Sequence, residues 1–186
     1  MMYEKIFFLT GKPRMGKTTL IKKIINEIGP DNCGGFYTEE IRDARDRTGF
    51  KCVTLAGESQ VIANVESNSS LKIGRYGIDI SNFENVALKS IQDSLKSKKV
   101  TVIDEIGFMQ MLSIPFQQMI YKVVSENHHI VLGTIPLDSH PEIDKIKRLP
   151  GVKIINVNEE NRDFIAEVVV KDILKAADGN ESATFF

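Results

Sequence analysis

Short apolar runs alternate with helical periodicities along most of the chain. Ile6–Leu9 is four apolar residues followed by Thr-Gly, the pattern of a buried strand. Lys17–Ile28 carries Leu20, Ile21, Ile24, Ile25 and Ile28 on a 3–4 spacing, which predicts an amphipathic helix, and Gly29-Pro30 ends it. Gly34–Ile41 and Gly49–Leu55 read as two strands joined by the polar stretch Arg42–Thr48, an antiparallel hairpin. Ser59–Ser70 is polar and weakly patterned, and a short extended piece follows around Tyr76–Ile80. Phe83–Leu95 is helical in pattern, with Phe83, Val86, Ala87, Ser90, Ile91 and Leu95 on one face. Val100–Ile103 is a second buried strand, and Ile114 to Glu126 a helix opened by Pro115 in its first turn. Ile130–Ile135 is a third buried strand, Val152–Val157 a fourth, and Arg162–Leu174 a closing amphipathic helix with Asn161 as its N-cap. Polar Asp178–Ser182 is expected to fray, while Phe185-Phe186 is an apolar pair available for docking.

Apolar strands alternating with helices give an α/β fold: a mainly parallel sheet covered on both faces, with the hairpin as an antiparallel addition. With 186 residues and no linker, the expected organisation is one domain over 1–177 and a polar tail over 178–186. In such sheets ligands bind outside the carboxyl ends of the strands.

One strand end carries a phosphate loop. Gly11-Lys12-Pro13-Arg14-Met15-Gly16-Lys17-Thr18 fits G-x-x-x-x-G-K-[ST], with a strand before it and a helix after it. Four fixed positions recur by chance in roughly 1% of chains this long, before that context is required. Each element has a chemical task. Gly11 and Gly16 let the backbone wrap phosphate closely. The amides near Gly16–Thr18, with Thr19 next in line, open the helix and point at the anion. Lys17 neutralises the terminal phosphates, and the Thr18 hydroxyl is a ligand for Mg²⁺.

A second strand end supplies the acid such a loop needs. Asp104 follows the buried run Val100–Ile103 directly and is placed to hold the metal's water shell. Glu105 comes next, suited to activate a water for attack on the γ-phosphate. Its competing reading is a helix-start acid. Thr134 ends a third strand on the same edge, either as a phosphate sensor or as an ordinary strand-end threonine.

Composition narrows the partners. Net charge is −1, so no global positive field draws the chain to nucleic acid or anionic lipid. The longest apolar runs fall far short of a membrane span, and Met1–Thr10 has no signal-peptide anatomy. Cys33 and Cys52 share no CxxC spacing and read as reduced thiols of a cytoplasmic protein. His128, His129 and His140 lack metal-ligand spacing. Arg42, Arg45 and Arg47 in the hairpin connection are suited to close over phosphates, or to form a solvated turn balanced by Asp43 and Asp46.

Several segments together resemble one family. After Gly11–Thr18 come Gly35-Phe36-Tyr37-Thr38-Glu39-Glu40-Ile41-Arg42, Gly49-Phe50, Gly74-Arg75-Tyr76-Gly77, Ile103-Asp104-Glu105-Ile106-Gly107 and Asn161-Arg162-Asp163. This order is similar to that of the THEP-type nucleoside triphosphatases, from about Lys5 to Leu174. The resemblance implies a RecA-like P-loop fold and slow, Mg²⁺-dependent hydrolysis of ATP, GTP, CTP and UTP to diphosphate and phosphate. It also suggests nucleotide contact or loop support for Arg162. The chain departs from the family pattern in two places. Arg14 stands where glycine is usual, and Phe108-Met109-Gln110 replaces Lys-Met-Glu.

Two rival functions share the P-loop. A small nucleoside or nucleotide kinase would use the arginine-rich connection to clamp a transferring phosphate. A nucleotide-dependent binding module would use hydrolysis as a timer, with a protein partner the sequence does not name.

Overall fold

Alternation along the first strand, β1 (Ile6–Thr10), sets the layout of the molecule. All five residues are buried: Ile6 and Phe8 enter one apolar cluster, Phe7 and Leu9 another. A strand apolar on both faces requires cover on both. The computed structural model describes residues 4–181. In chain order its further elements are α1 (Lys17–Ile28), β2 (Cys33–Arg42), β3 (Arg47–Thr54), β4 (Ser59–Asn64), β5 (Lys72–Ile73) and β6 (Tyr76–Ile78). They continue with α2 (Ile80–Ser97), β7 (Val100–Asp104), α3 (Ile114–Glu126), β8 (Ile130–Thr134), α4 (Pro141–Lys147), β9 (Val152–Asn156) and α5 (Ile165–Glu181). Among the described residues the strands form one nine-stranded sheet, in the order β5-β6-β4-β3-β2-β7-β8-β1-β9. This is the α/β P-loop fold of RecA-like type.

Helices α1 and α5 cover one face through Leu20, Ile21, Ile24, Val169 and Ile173. The other face lies under α2, α3 and α4, which contribute Phe83, Phe116 and Ile143. There Phe36, Phe83 and Phe116 meet edge to face, with ring centroids 5.0 to 6.2 Å apart, the geometry aromatic quadrupoles favour.

The parallel part comprises β2, β7, β8, β1 and β9. The antiparallel addition is larger than the expected hairpin, because β4, β6 and β5 extend it. β4 escaped the sequence pattern because Ser59, Gln60 and Val61 are exposed and only Ile62 and Ala63 are buried. Seven-residue α4 also escaped: it buries only Ile143 and Ile146, too little for a periodic signal.

Helix starts differ from expectation for reasons of capping. The extended piece around Tyr76–Ile80 ends at Ile78, because the Asp79 side chain accepts the Asn82 amide and starts α2 at Ile80. α5 starts at Ile165 rather than Arg162. Asn161 does not cap Arg162. Its side chain accepts from the Asn158 amide and donates to the Asn156 carbonyl, tying the preceding loop together. α5 then continues through Asp178 to Glu181, held by buried Ala166, Val169, Ile173 and Ala176. Ser182 and the Phe185-Phe186 pair lie outside the described residues. Cys33 and Cys52 are buried as free thiols in different apolar clusters.

Register decides where chemistry gathers. Leu9 lies beside Thr134, and Ile103 beside Gly133, so β1, β8 and β7 finish at one edge. β8 separates β1 from β7. The ends of β1 and β7, from which the phosphate loop and Asp104 emerge, are therefore about 10 Å apart, twice the interstrand spacing.

Candidate active site

Beyond Thr10 the chain must turn sharply beside the end of β9. The Val157 amide donates to the Thr10 carbonyl at 2.7 Å, so the two backbones are in contact there. A Cβ on Gly11 would sit 2.5 Å from the Val157 oxygen, which makes glycine obligatory. The loop climbs through exposed Lys12, Pro13 and Arg14, while half-buried Met15 packs against the α1–α5 cluster. Gly16 closes the loop with φ 81° and stands as N-cap of α1. It has no side chain to cap the helix, and no acid lies in the first turn. The first amides of α1 thus present unfilled donors and the positive end of the helix dipole, a ready site for an anion. Lys17 folds back over the loop, its Nζ donating to the carbonyls of Gly11 at 2.9 Å and Lys12 at 3.1 Å. Thr19 follows, exposed, in the first turn.

Asp104 faces this loop from the end of β7. Thr134 Oγ1 donates to its Oδ1 at 2.5 Å, while Oδ2 is buried without a hydrogen-bond partner. Burial pushes the Asp104 carboxyl above its usual range, against hydrogen bonds from Thr134 and Thr18 and the Lys17 and Lys22 charges, which pull it down. Thr18 and the Lys17 charge therefore lie on the side of the edge that Asp104 faces. A buried carboxylate oxygen with no donor is a costly arrangement unless a cation meets it. Thr134 has a definite place in this site: it orients the acid.

Glu105 follows directly, held by the Ile106 amide donating to the Thr134 carbonyl at 2.9 Å. Burial, then the neighbouring Asp104 charge, pushes its carboxyl up to about 7, with Lys17 drawing it back. Gln110 is buried beside it. Glu105 Oε1 and Gln110 Oε1 each lie 2.7 Å from the point a Cβ on Gly107 would occupy. Gln110 donates weakly to Thr38 Oγ1 at 3.4 Å and leaves Oε1 unpartnered. One water between Glu105 and Gln110 would satisfy both.

The remaining sequence candidates are placed as follows. Glu39 pairs with Lys22 of α1 at 2.9 Å and Lys51 at 3.0 Å, on the face of α1. Glu40 and Arg42 point to the opposite face, where Glu40 binds Arg42 and Arg47. Arg14 and the hairpin arginines are brought together around one cleft. Arg162 is not brought to the phosphate loop by any hydrogen bond or ion pair. It sits half exposed in the β9–α5 loop, 3.9 Å from the carboxylate of Asp163. The roles of Gln110, Lys22 and Arg75 were not legible in sequence. The one signal was that Gln110 and Arg75 lie in or beside the family blocks.

Residues 6–170 match the NTPase family. The chain belongs to the NTPase family. It is 36% identical over 176 residues to the nucleoside-triphosphatase THEP1 of Thermotoga petrophila, covering 95% of this chain and 96% of that one. It is 35% identical over 177 residues to the human cancer-related nucleoside-triphosphatase, covering 88% and 93%. The crystal structure of THEP1 from Aquifex aeolicus superposes with a TM-score of 0.81 at 35% identity, over 88% of this chain and 95% of that one. The solution structure of the human nucleoside triphosphatase gives 0.76 at 34% identity, over 92% and 98%. Arg14, expected from the resemblance to stand where glycine is usual, has a backbone conformation that glycine would suit. Its φ is 66°, in the left-handed region where glycine is at ease and arginine is strained. Among the described residues, no helix is long and apolar enough to cross a membrane.

Proposed function

We propose that this enzyme hydrolyses nucleoside 5'-triphosphates to diphosphate and phosphate with Mg²⁺, slowly and with little discrimination between bases. One observation carries the reading: the buried, unpartnered Asp104 Oδ2 opposite Thr18 and Lys17, at the mouth of an uncapped helix. That oxygen and the Thr18 hydroxyl suit a hard cation that takes its other ligands from phosphate and water. Among the described residues no cluster of three His, Cys, Asp or Glu forms a protein cage for a metal, which fits such a site. When bound, Mg²⁺ neutralises charge on the phosphates.

The chain's own residues do the rest. The first amides of α1 and Lys17 bind the phosphate chain. Glu105 takes the proton of an attacking water, and Gln110 orients that water through its free oxygen. The water oxygen bonds to the γ-phosphorus, the bond from phosphorus to the bridging oxygen breaks, and the diphosphate departs with its electron pair. Weak base preference rests on the absence from the sequence of a guanine-reading motif such as Asn-Lys-x-Asp. The reading includes a cytoplasmic enzyme of a single domain, whose last helix runs to Glu181 rather than ending at 177.

The test compares phosphate release from ATP, GTP, CTP and UTP, each with Mg²⁺ and with EDTA, and from ATP with added nucleosides. Metal-dependent release with kcat/KM values within a hundredfold, about 2.7 kcal/mol, is expected. Release unaffected by EDTA sinks the metal assignment. Diphosphate production that rises with nucleoside, together with phosphorylated nucleoside, would identify a kinase instead.

A further inference from the structure

The tip of the β2–β3 hairpin and the crest of the phosphate loop face each other across a cleft of about 420 Å³. Five arginines line it: Arg14 from the loop, Arg42, Arg45 and Arg47 from the hairpin, and Arg75 from the β5–β6 turn. Asp46 and Tyr76 complete the wall. With Glu40 behind the wall and Asp43 in the same turn, the cations still outnumber the acids.

Three of the guanidinium groups are tied down. Arg42 donates to Glu40 Oε2. Arg47 donates to Glu40 Oε1 at 2.8 Å and to the Tyr76 hydroxyl at 2.9 Å. Arg75 grips both oxygens of Asp46, each at 2.7 Å, and also donates to the Arg47 carbonyl. Arg14 and Arg45 have no hydrogen-bond or ion-pair partner among the described residues. The tied set serves as a mount. Arg75 reaches from another hairpin to hold Asp46, and the Asp43 amide donates to the Asp46 carbonyl at 3.0 Å, so the backbone on both sides of Arg45 is fixed. Arg47 and Arg75 also lie over the Tyr76 ring, 5.7 and 5.4 Å from its centroid, which stiffens the same wall. A fixed backbone with a free guanidinium is preorganised for an anion that arrives from outside.

We propose that this cleft is the receptor for the terminal phosphate, with Arg45 and Arg14 closing on the charge that grows as its bond to the diphosphate breaks. The inference rests on the hydrolase reading. The anion is the nucleotide's own phosphate rather than a separate molecule, because Arg14 belongs to the loop that grips that nucleotide and forms one wall of the cleft. A guanidinium presents paired donors that match phosphate oxygens, so two free arginines from opposite walls suit a group whose negative charge is rising.

The experiment measures Arg45→Ala and Arg45→Lys against wild type: kcat and KM for MgATP, and calorimetric affinity for MgADP, MgATP, MgADP with aluminium fluoride, and pyrophosphate. For Arg45→Ala we expect kcat to fall at least about 10²-fold, with KM within about threefold and MgADP affinity unchanged. Affinity for the aluminium fluoride complex should fall by the same factor as kcat. Arg45→Lys, which keeps charge without the fork, should fall between. Unchanged kcat and an unchanged trapped complex overturn the proposal. So does an equal loss of affinity for all four ligands, which marks general attraction, or a loss confined to pyrophosphate, which marks a separate anion site. Wild-type protein that binds MgATP but releases no phosphate defeats the hydrolase reading instead. Affinity for MgADP with aluminium fluoride, lowered in Arg45→Ala while MgADP affinity is not, would still report on the cleft.

Discussion

β1, β7 and β8 are buried along their whole length, whereas β4 exposes its first three residues and the hairpin tip is exposed from Arg42 to Asp46. The first group forms the parallel half of the sheet and ends in Gly11, Asp104 and Thr134. The second belongs to the antiparallel half and ends in a cluster of arginines. Burial on both faces fixes register, since a one-residue slip would turn every side chain over. It therefore suits groups that must hold a phosphate chain and a cation in fixed relation. The exposed half is held by hydrogen bonds and ion pairs at the surface, and it presents charge on long, adjustable side chains. On the proposed mechanism the division has a use: ground-state binding falls to the parallel half, and charge stabilisation during reaction to the antiparallel half.

Substitutions can break that division. Lys17→Ala removes the ammonium that bridges the loop carbonyls, and MgATP affinity by calorimetry should fall by at least about 10²-fold. Equal affinity in the two proteins would remove the parallel half from nucleotide binding. Glu105→Gln keeps the shape and loses the base, so turnover should drop roughly 10²–10⁴-fold while binding stays near normal. A loss of only a few-fold would return Glu105 to a structural role.

Smaller effects sharpen the picture. Gln110→Leu should lower kcat about tenfold without changing nucleotide affinity, if its free oxygen orients water. An unchanged kcat counts against that role. Arg75→Ala releases Asp46 and loosens the mount of Arg45. It should lower kcat by about tenfold with KM unmoved and little change in Tm, because exposed ion pairs add little stability. Arg14→Gly relieves a left-handed arginine, a gain of about 1–2 kcal/mol. The unfolded chain's greater freedom offsets about half of it. Thermal unfolding should shift upward by about 2 °C while kcat falls, separating backbone comfort from phosphate contact. A lower Tm would show that the strain is met by contacts of the arginine side chain.

The sequence by itself determined the phosphate loop, because Gly11–Thr18 is contiguous and its geometry is local: a strand, two glycines and a helix start. It also determined the strand-end acids, since the apolar run Val100–Ile103 says where β7 ends. Both are encoded within one turn of chain. Only the tertiary structure decided that Thr134 orients Asp104, because thirty residues of chain separate them and parallel pairing of β7 and β8 joins them. The same holds for Gln110 beside Thr38, and for Arg75 gripping Asp46 from another hairpin. β4 and α4 stayed hidden because a half-exposed strand and a seven-residue helix bury too few side chains to leave a period. Arg14 reads in sequence as a missing glycine. Its φ of 66° and its place in the cleft opposite the hairpin arginines are visible only in the folded chain, since residues far apart in sequence line that cleft.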